Sequence, residues 1–267
     1  MTDDSLPLFP DRYATMGWRP VAGFGFARRR ALVPLAVTEI RRAAQVMPVA
    51  FCQQAARWQA VGVMGPVAGV NLLVGPDGRW RAGFVPAVLR AHPFCLDAAQ
   101  RLALSPDHPP LSLDADGADT PVHPFFADGA LTPQLARTQS FLRQVQAKIA
   151  AAGPVLAQLD AQGALRPWHP PHAPAGTGGH AAAPLALWRL CPSALAELED
   201  AAVLGLFRSG ALSWLLAHGD SLHHAARFAD LARMSAIPPT PPPAYQPRDA
   251  AADILAALAD DLRETAP

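Results

Sequence analysis

Apolar positions along the chain follow two periods. In the N-terminal third they form short, nearly continuous runs at residues 47–52 and 58–64. Runs of that length, rich in Val, Phe and Trp and bounded by turn residues, predict buried strands. Residues 24–37 carry β-type side chains around Arg28-Arg29-Arg30, and residues 69–74 continue the strand-like pattern. Residues 38–44 predict a short helix, with Thr38 as its N-cap and Glu39 in its first turn. From Thr132 onward the spacing becomes helical. Thr132-Pro133 has the order of a cap followed by a first-turn proline, and Leu135, Leu142, Val145 and Ile149 form one stripe. Gly153-Pro154 marks an end, and residues 155–165 predict a second short helix. Residues 185–190 predict a strand. Ser193 predicts the cap of a helix holding Leu195, Leu198 and Phe207, which Gly210 interrupts. A longer helix then runs to about Met234, with Leu212, Leu215, Leu216, Leu222 and Leu231 on its apolar face. The sum is an α+β protein: a β-rich N-terminal half packed with C-terminal helices.

The firmest local expectation is a β-hairpin over residues 70–85, within VNLLVGPDGRWRAGFVPAVLRAHPF. Pro76 presets φ for the turn, Asp77 bonds its own backbone, and Gly78 accepts positive φ. Trp80 and Phe84 then follow on the returning strand and share a face. A Pro-initiated short helix comes next.

Breaks set the organisation. Residues 1–20, with Pro7, Pro10 and Pro20, read as an irregular arm, and residues 98–128 and 166–184 are loop-rich. One domain is expected over residues 21–236. Residues 237–248, starting IPPTPPPAYQP, form a proline-rich linker. Residues 249–267 form a terminal segment in which Ile254, Leu255, Leu258 and Leu262 line one face of an amphipathic helix.

Composition narrows the function classes. The 267 residues carry 22 basic and 22 acidic side chains. A net charge of zero, without a basic stripe, argues against nucleic-acid binding. The uncharged run 58–76 is long enough to span a bilayer, but Gly62, Gly65, Pro66, Gly69 and Gly75 suit strands and turns better, so no membrane span is expected. Cys52, Cys95 and Cys191 are too few and too scattered for a disulfide framework. With no visible signal peptide, they point to a cytoplasmic protein. No Walker loop, dinucleotide fingerprint or nucleophile elbow is present, and no cofactor is expected.

Four groups of side chains could carry chemistry. His169, His172 and His180 lie in WHPPHAPAGTGGH. Imidazole is a common zinc ligand, but this low-complexity segment lacks a carboxylate or cysteine and reads as a flexible loop rather than a native metal site. His223 and His224 are adjacent and point to different helix faces. His218 and Ser221, three apart, project to one side of a helix and could orient each other or meet Glu39 or Arg90, an arrangement suited to acid–base work. The bland alternative is a core histidine satisfied by a hydroxyl or a carbonyl. Trp80, Phe84 and Phe94 are core aromatics or a rigid recognition surface.

Three blocks of the chain resemble the SapC family of bacterial proteins. VPLAVTEI followed by MPVAF looks like its extended-then-acidic pattern. GVNLLVGPDGRWRAGFVPAVLRAHPF resembles its hairpin, Gly-Arg-Trp triplet and Arg-x-x-Pro-Phe unit. FRSGAL with AHGDSLHHAARFADL resembles its closing helix. Phe84 and His92 depart from the pattern, since tyrosine or another aromatic is usual there. The family has no established reaction to carry over. Its permease label implies membrane helices, and none is visible here. Members are often encoded beside outer-membrane receptors and flavin-dependent halogenase-like enzymes. The resemblance therefore implies an accessory or binding protein that works with partner proteins in uptake or modification of peptides or glycans. A protein partner is expected, with residues 249–264 as one docking element. The alternative is an enzyme or enzyme subunit acting on a peptide or glycan, with Glu39, Arg90 and His218 near a pocket.

Overall fold

A computed structural model of the chain describes residues 5–113, 122–171 and 184–236. Its strands are β1 (Leu6–Pro7), β2 (Met16–Trp18), β3 (Leu32–Pro34), β4 (Val49–Gln54), β5 (Arg57–Val63), β6 (Phe94–Leu96), β7 (Leu102–Leu104), β8 (Leu111–Ser112), β9 (His123–Pro124), β10 (Phe126–Ala127), β11 (Ala130–Leu131), β12 (Leu165–Trp168) and β13 (Leu187–Leu190). Its helices are α1 (Pro10–Tyr13), α2 (Ile40–Ala43), α3 (Ala87–Arg90), α4 (Pro133–Ala150), α5 (Ala152–Ala161), α6 (Pro192–Ala196), α7 (Asp200–Arg208), α8 (Ala211–Ser221) and α9 (Phe228–Ala236). Strands dominate the N-terminal half and the longer helices follow, an α+β arrangement.

The chain divides into two units. The described part of the larger one comprises residues 23–89, 146–171 and 184–236. Its frame is an antiparallel sheet in the order β12-β13-β4-β5-β3. The central strands β4 and β5 are the two apolar runs expected from the sequence. They read as nearly continuous because both faces are covered: α5 packs on β5, and α8 packs on β4 and β13. Phe51, Val61, Val63, Met47, Leu35, Ile40, Leu156, Leu215 and Phe228 are fully enclosed in the resulting core. The hairpin joining β4 to β5 turns on Ala55-Ala56, both at positive φ, with Gln54 paired to Arg57.

The smaller unit, in its described part, covers residues 5–22, 90–113 and 122–145. It holds two three-stranded antiparallel sheets, β1-β7-β6 and β8-β2-β9, and the ribbon β10-β11. Trp18 meets the edge of Phe94 with ring centroids 4.9 Å apart, and Tyr13 meets Phe125 at 6.3 Å. Leu135, Phe141, Leu142 and Val145 of α4 are buried, so the predicted stripe is the helix's inner face as far as Val145, while Ile149 is only half-buried.

Some local expectations differ from the structure. Residues 5–18 are not irregular: pairing partners far along the chain turn them into β1 and β2. The loop-rich stretch after residue 98 contains β7 to β10 for the same reason. α2 begins at Ile40, with Glu39 rather than Thr38 at its N-cap position. The helix expected from Ser193 is two helices, α6 and α7, and the expected long helix to Met234 is α8, a 3-10 stretch at Leu222–Arg227, and α9. Leu216 is exposed, because the inner face of α8 is built by Ala211, Trp214, Leu215, His218 and Ser221. The linker 237–248, the segment 249–267, His172 and His180 lie outside the described residues.

Candidate functional site

The signature hairpin is short but tightly anchored. Val74 and Trp80 form a single antiparallel bridge. Gly75 N–H donates to Arg79 O at 2.8 Å, and Arg81 N–H donates to Leu73 O at 2.8 Å. Gly78 sits at φ +82°, where an L side chain is strained, and Arg79 N–H donates to the Asp77 carboxylate at 3.1 Å. The turn thus uses Asp77 and Gly78 as expected. A second segment clamps its tip. Phe24 N–H donates to Gly78 O at 2.8 Å, and the Arg28 guanidinium donates to Pro76 O at 2.9 Å. At its base the buried Asn71 donates to Ala27 O and accepts from Leu73 N–H, both at 2.9 Å.

This clamp creates a small aromatic and cationic face. The Phe24 ring lies 5.5 Å from that of Trp80 and 6.0 Å from that of Phe26, and Arg30 stacks over Phe26 at 5.5 Å. Trp80 is half-buried, and its indole N–H donates to Phe84 O at 2.8 Å. Phe84 is buried, with the Arg42 guanidinium 5.2 Å from its ring centre. Phe94 is buried in the smaller unit, where it packs against Trp18.

Glu39 is buried and works on the backbone. One carboxylate oxygen accepts from Ala87 N–H at 2.7 Å, and the other from Ala36 N–H at 3.3 Å. Ala87 opens α3, so Glu39 occupies one of the orphan amides of that helix and ties the turn before α2 to the segment after the hairpin. Arg90 is the last residue of α3 and falls in the smaller unit, whereas Glu39 and His218 belong to the larger one.

His218 and Ser221 do share one side of α8, and both are fully buried. Their partners are backbone groups. Trp188 of β13 pairs with Phe51 of β4, so two residues along the antiparallel register Leu190 falls opposite Val49. The imidazole stands at that position. Nδ1 contacts Val49 O at 2.8 Å, and Leu190 N–H donates to Nε2 at 3.1 Å. This fixes the neutral tautomer with the proton on Nδ1. Ser221 Oγ accepts from Val49 N–H at 2.9 Å and donates to His218 O at 2.6 Å. Burial pushes the His218 pKa down to about 4, against the opposing effect of the Val49 carbonyl, with the charge of Arg189 lowering it further. Neither ring nitrogen is left to exchange a proton with a substrate.

The remaining histidines are dispersed. His169 is exposed at the end of β12. His223 and His224 do not diverge as expected: their rings lie 4.0 Å apart within the 3-10 stretch, and His224 Nε2 meets Ala44 O at 3.1 Å. Among the described residues no group of three His, Cys, Asp or Glu is placed to hold a metal ion.

One feature was missed at the sequence level. Leu204 and Phe207 of α7 are 45% and 69% exposed, and Leu216 of α8 is 52% exposed. Leu204 and Phe207 line an open groove of about 620 Å³ formed by α6, α7 and the start of α8. The signal was present: α7 carries Val203, Leu204, Leu206 and Phe207, and its inner face buries only Leu206.

The SapC family profile matches residues 8–228 of the 267. The chain belongs to the SapC family. The match includes the signature hairpin, α7 and all of α8, and it extends into the N-terminal strands. The comparisons found no matching curated protein and no matching solved structure. The permease label sometimes attached to SapC proteins gains no support from the described helices, none of which is singly long and apolar enough to cross a membrane. The bent pair Asp200–Arg208 and Ala211–Met234 reaches that length only across a 93° bend, and Leu206, Trp214, Leu215 and Phe228 within it are buried.

Proposed function

We propose that this SapC protein is an accessory binding protein that acts with partner proteins in the uptake or modification of peptides or glycans. The observation that carries the reading is the apolar face of α6, α7 and α8. A folded chain scatters single exposed apolar side chains over its surface, but a grouped apolar face marks a place where another apolar surface is received. Phe207 stands out of that face as an aromatic anchor, the residue type that dominates binding energy when it enters a partner's pocket. The groove beside it is open and lined mainly by apolar side chains, a form suited to an apolar segment of a partner protein.

The clamped hairpin supports the same reading from a second direction. Its aromatic and arginine side chains are held by backbone hydrogen bonds, so the face they form is preorganised for recognition. The peptide or glycan context comes from the company that SapC proteins keep. His218, the group the enzyme alternative relies on for proton transfer, has its nitrogens committed to β4 and β13.

A photo-reactive phenylalanine at position 207 of the full-length chain, expressed in the native cell, tests the reading. It predicts one dominant cross-linked protein. A cross-link spread over many abundant proteins would count against it, as would no cross-link beyond the chain itself.

A further inference from the structure

Positive charge is gathered in one part of this chain. Residues 23–89 carry eight arginines and two carboxylates, while the chain as a whole is neutral, so the acidic excess lies elsewhere in the sequence. Of those two carboxylates, Glu39 is buried with its oxygens on the Ala36 and Ala87 amides, and Asp77 sits in the hairpin turn. We propose that the clamped hairpin receives a short acidic segment of a partner protein, with its carboxylates on Arg28 and Arg79 and an apolar side chain on the rings of Phe24 and Trp80. This deepens the reading of the hairpin as a recognition face, and rests on it.

Two sets of groups make the site, and both belong to the larger unit. Arg28 and Arg79 are exposed and both reach the turn. The Arg28 guanidinium donates to Pro76 O at 2.9 Å, and Arg79 Nε lies 3.5 Å from the Asp77 carboxylate. The bond to Pro76 uses Nη2 of Arg28, one nitrogen of a five-donor fork, so donors remain for a carboxylate. An exposed ion pair such as Arg79–Asp77 is held weakly in water, and a ligand carboxylate competes for its guanidinium. The second set is aromatic. Phe24, Phe26 and Trp80 are half-buried, and Arg30 stacks over Phe26. Trp80 is pinned through its indole N–H on Phe84 O, and Phe24 through its amide on Gly78 O. Rings fixed in this way bind at little entropic cost, and Trp and Arg are residue types that dominate binding energy at protein contacts.

Charge complementarity selects the occupant. A nucleic acid is held by phosphate contacts spread along its length. Here the cations surround one turn, and the acidic excess of the remaining sequence disfavours an extended polyanion. A short acidic segment places its charge on the turn alone, where guanidinium and carboxylate match in geometry. Its apolar side chain then packs on the neighbouring rings.

Fluorescence anisotropy with the full-length chain at low ionic strength tests this. The probes are labelled peptides of equal length, alternating Glu with Tyr, Gln with Tyr or Lys with Tyr, and a labelled oligothymidine. The Glu/Tyr peptide is expected to bind most tightly and to weaken as salt is added. Arg28→Gln/Arg79→Gln is expected to weaken it about tenfold, as the loss of two exposed charge contacts does. Arg28→Glu/Arg79→Glu is expected to reverse the preference in favour of the Lys/Tyr peptide, a gain that unfolding does not produce. Equal binding of the Glu/Tyr and Gln/Tyr peptides, or no reversal in the second variant, would overturn the proposal. Tighter binding of oligothymidine would overturn it in favour of a nucleic acid. These readings come from the hairpin and the photo-cross-link comes from position 207, so failure of acidic recognition and failure of partner docking on α7 are separately visible.

Discussion

His218 replaces one rung of a β ladder with an imidazole. Where β4 and β13 separate, its two nitrogens bridge Val49 O and Leu190 N–H, and Ser221 takes Val49 N–H. Removing the ring leaves two buried backbone groups without partners, each worth about 1–3 kcal/mol. His218→Ala is therefore expected to destabilise the fold by about 2–5 kcal/mol in urea unfolding. The same geometry sets a pH dependence. The folded state holds His218 neutral, with its pKa down near 4, while the unfolded chain protonates near 6.5. Between those values the unfolded state binds more protons, so stability falls as pH drops from about 6.5 toward 4. The loss attributable to this group is on the order of 3 kcal/mol. His224 is also depressed, by burial and by the neighbouring His223, and adds in the same direction. Urea midpoints measured across this pH range should fall steeply for wild type and less steeply for His218→Gln. Equal slopes would show that His218 is not held neutral by the fold.

At the scale of elements, legibility followed local chemistry. Gly75-Pro76-Asp77-Gly78 announced its turn because each residue has a reason to be there, and the structure uses Asp77 and Gly78 as those reasons dictate. The hairpin between β4 and β5 carried no such signal. Ala55-Ala56 is not a turn dipeptide, yet both residues adopt positive φ in a two-residue loop fixed by the pairing on either side. Here register imposed by buried strands overrides local preference. Ala55→Asn/Ala56→Gly relieves that strain and is expected to raise stability by about 1 kcal/mol in thermal unfolding. A lower melting temperature would contradict the turn geometry. α7 shows the opposite limit. Its apolar residues are visible in the chain, but periodicity reports that a face is apolar and not what covers it. Only the structure shows Phe207 pointing outward. Phe207→Asp should thus change stability by no more than about 0.5 kcal/mol, as an exposed position does. A loss of several kcal/mol would mean that Phe207 is already buried.

At the scale of the whole molecule, the α+β class and family membership were readable from the chain, since both depend on long apolar runs and a contiguous signature. The candidate sites were only partly readable. Sequence placed His218 and Ser221 on one side of a helix, which is correct, but could not show that their partners are strand backbones from residues 49 and 190. Long-range partners of that kind also explain the N-terminal strands missed at residues 5–18. The picture that results is a protein in which buried Glu39, His218 and Ser221 serve its own backbone and whose apolar helical face is turned outward. The most direct measurement is affinity capture from the native cell with full-length wild type and full-length Phe207→Asp, each read by mass spectrometry. The account predicts a stoichiometric protein partner that accompanies wild type and is lost with the equally folded variant. Recovery of the same partner with both proteins, or of none with wild type, would contradict it.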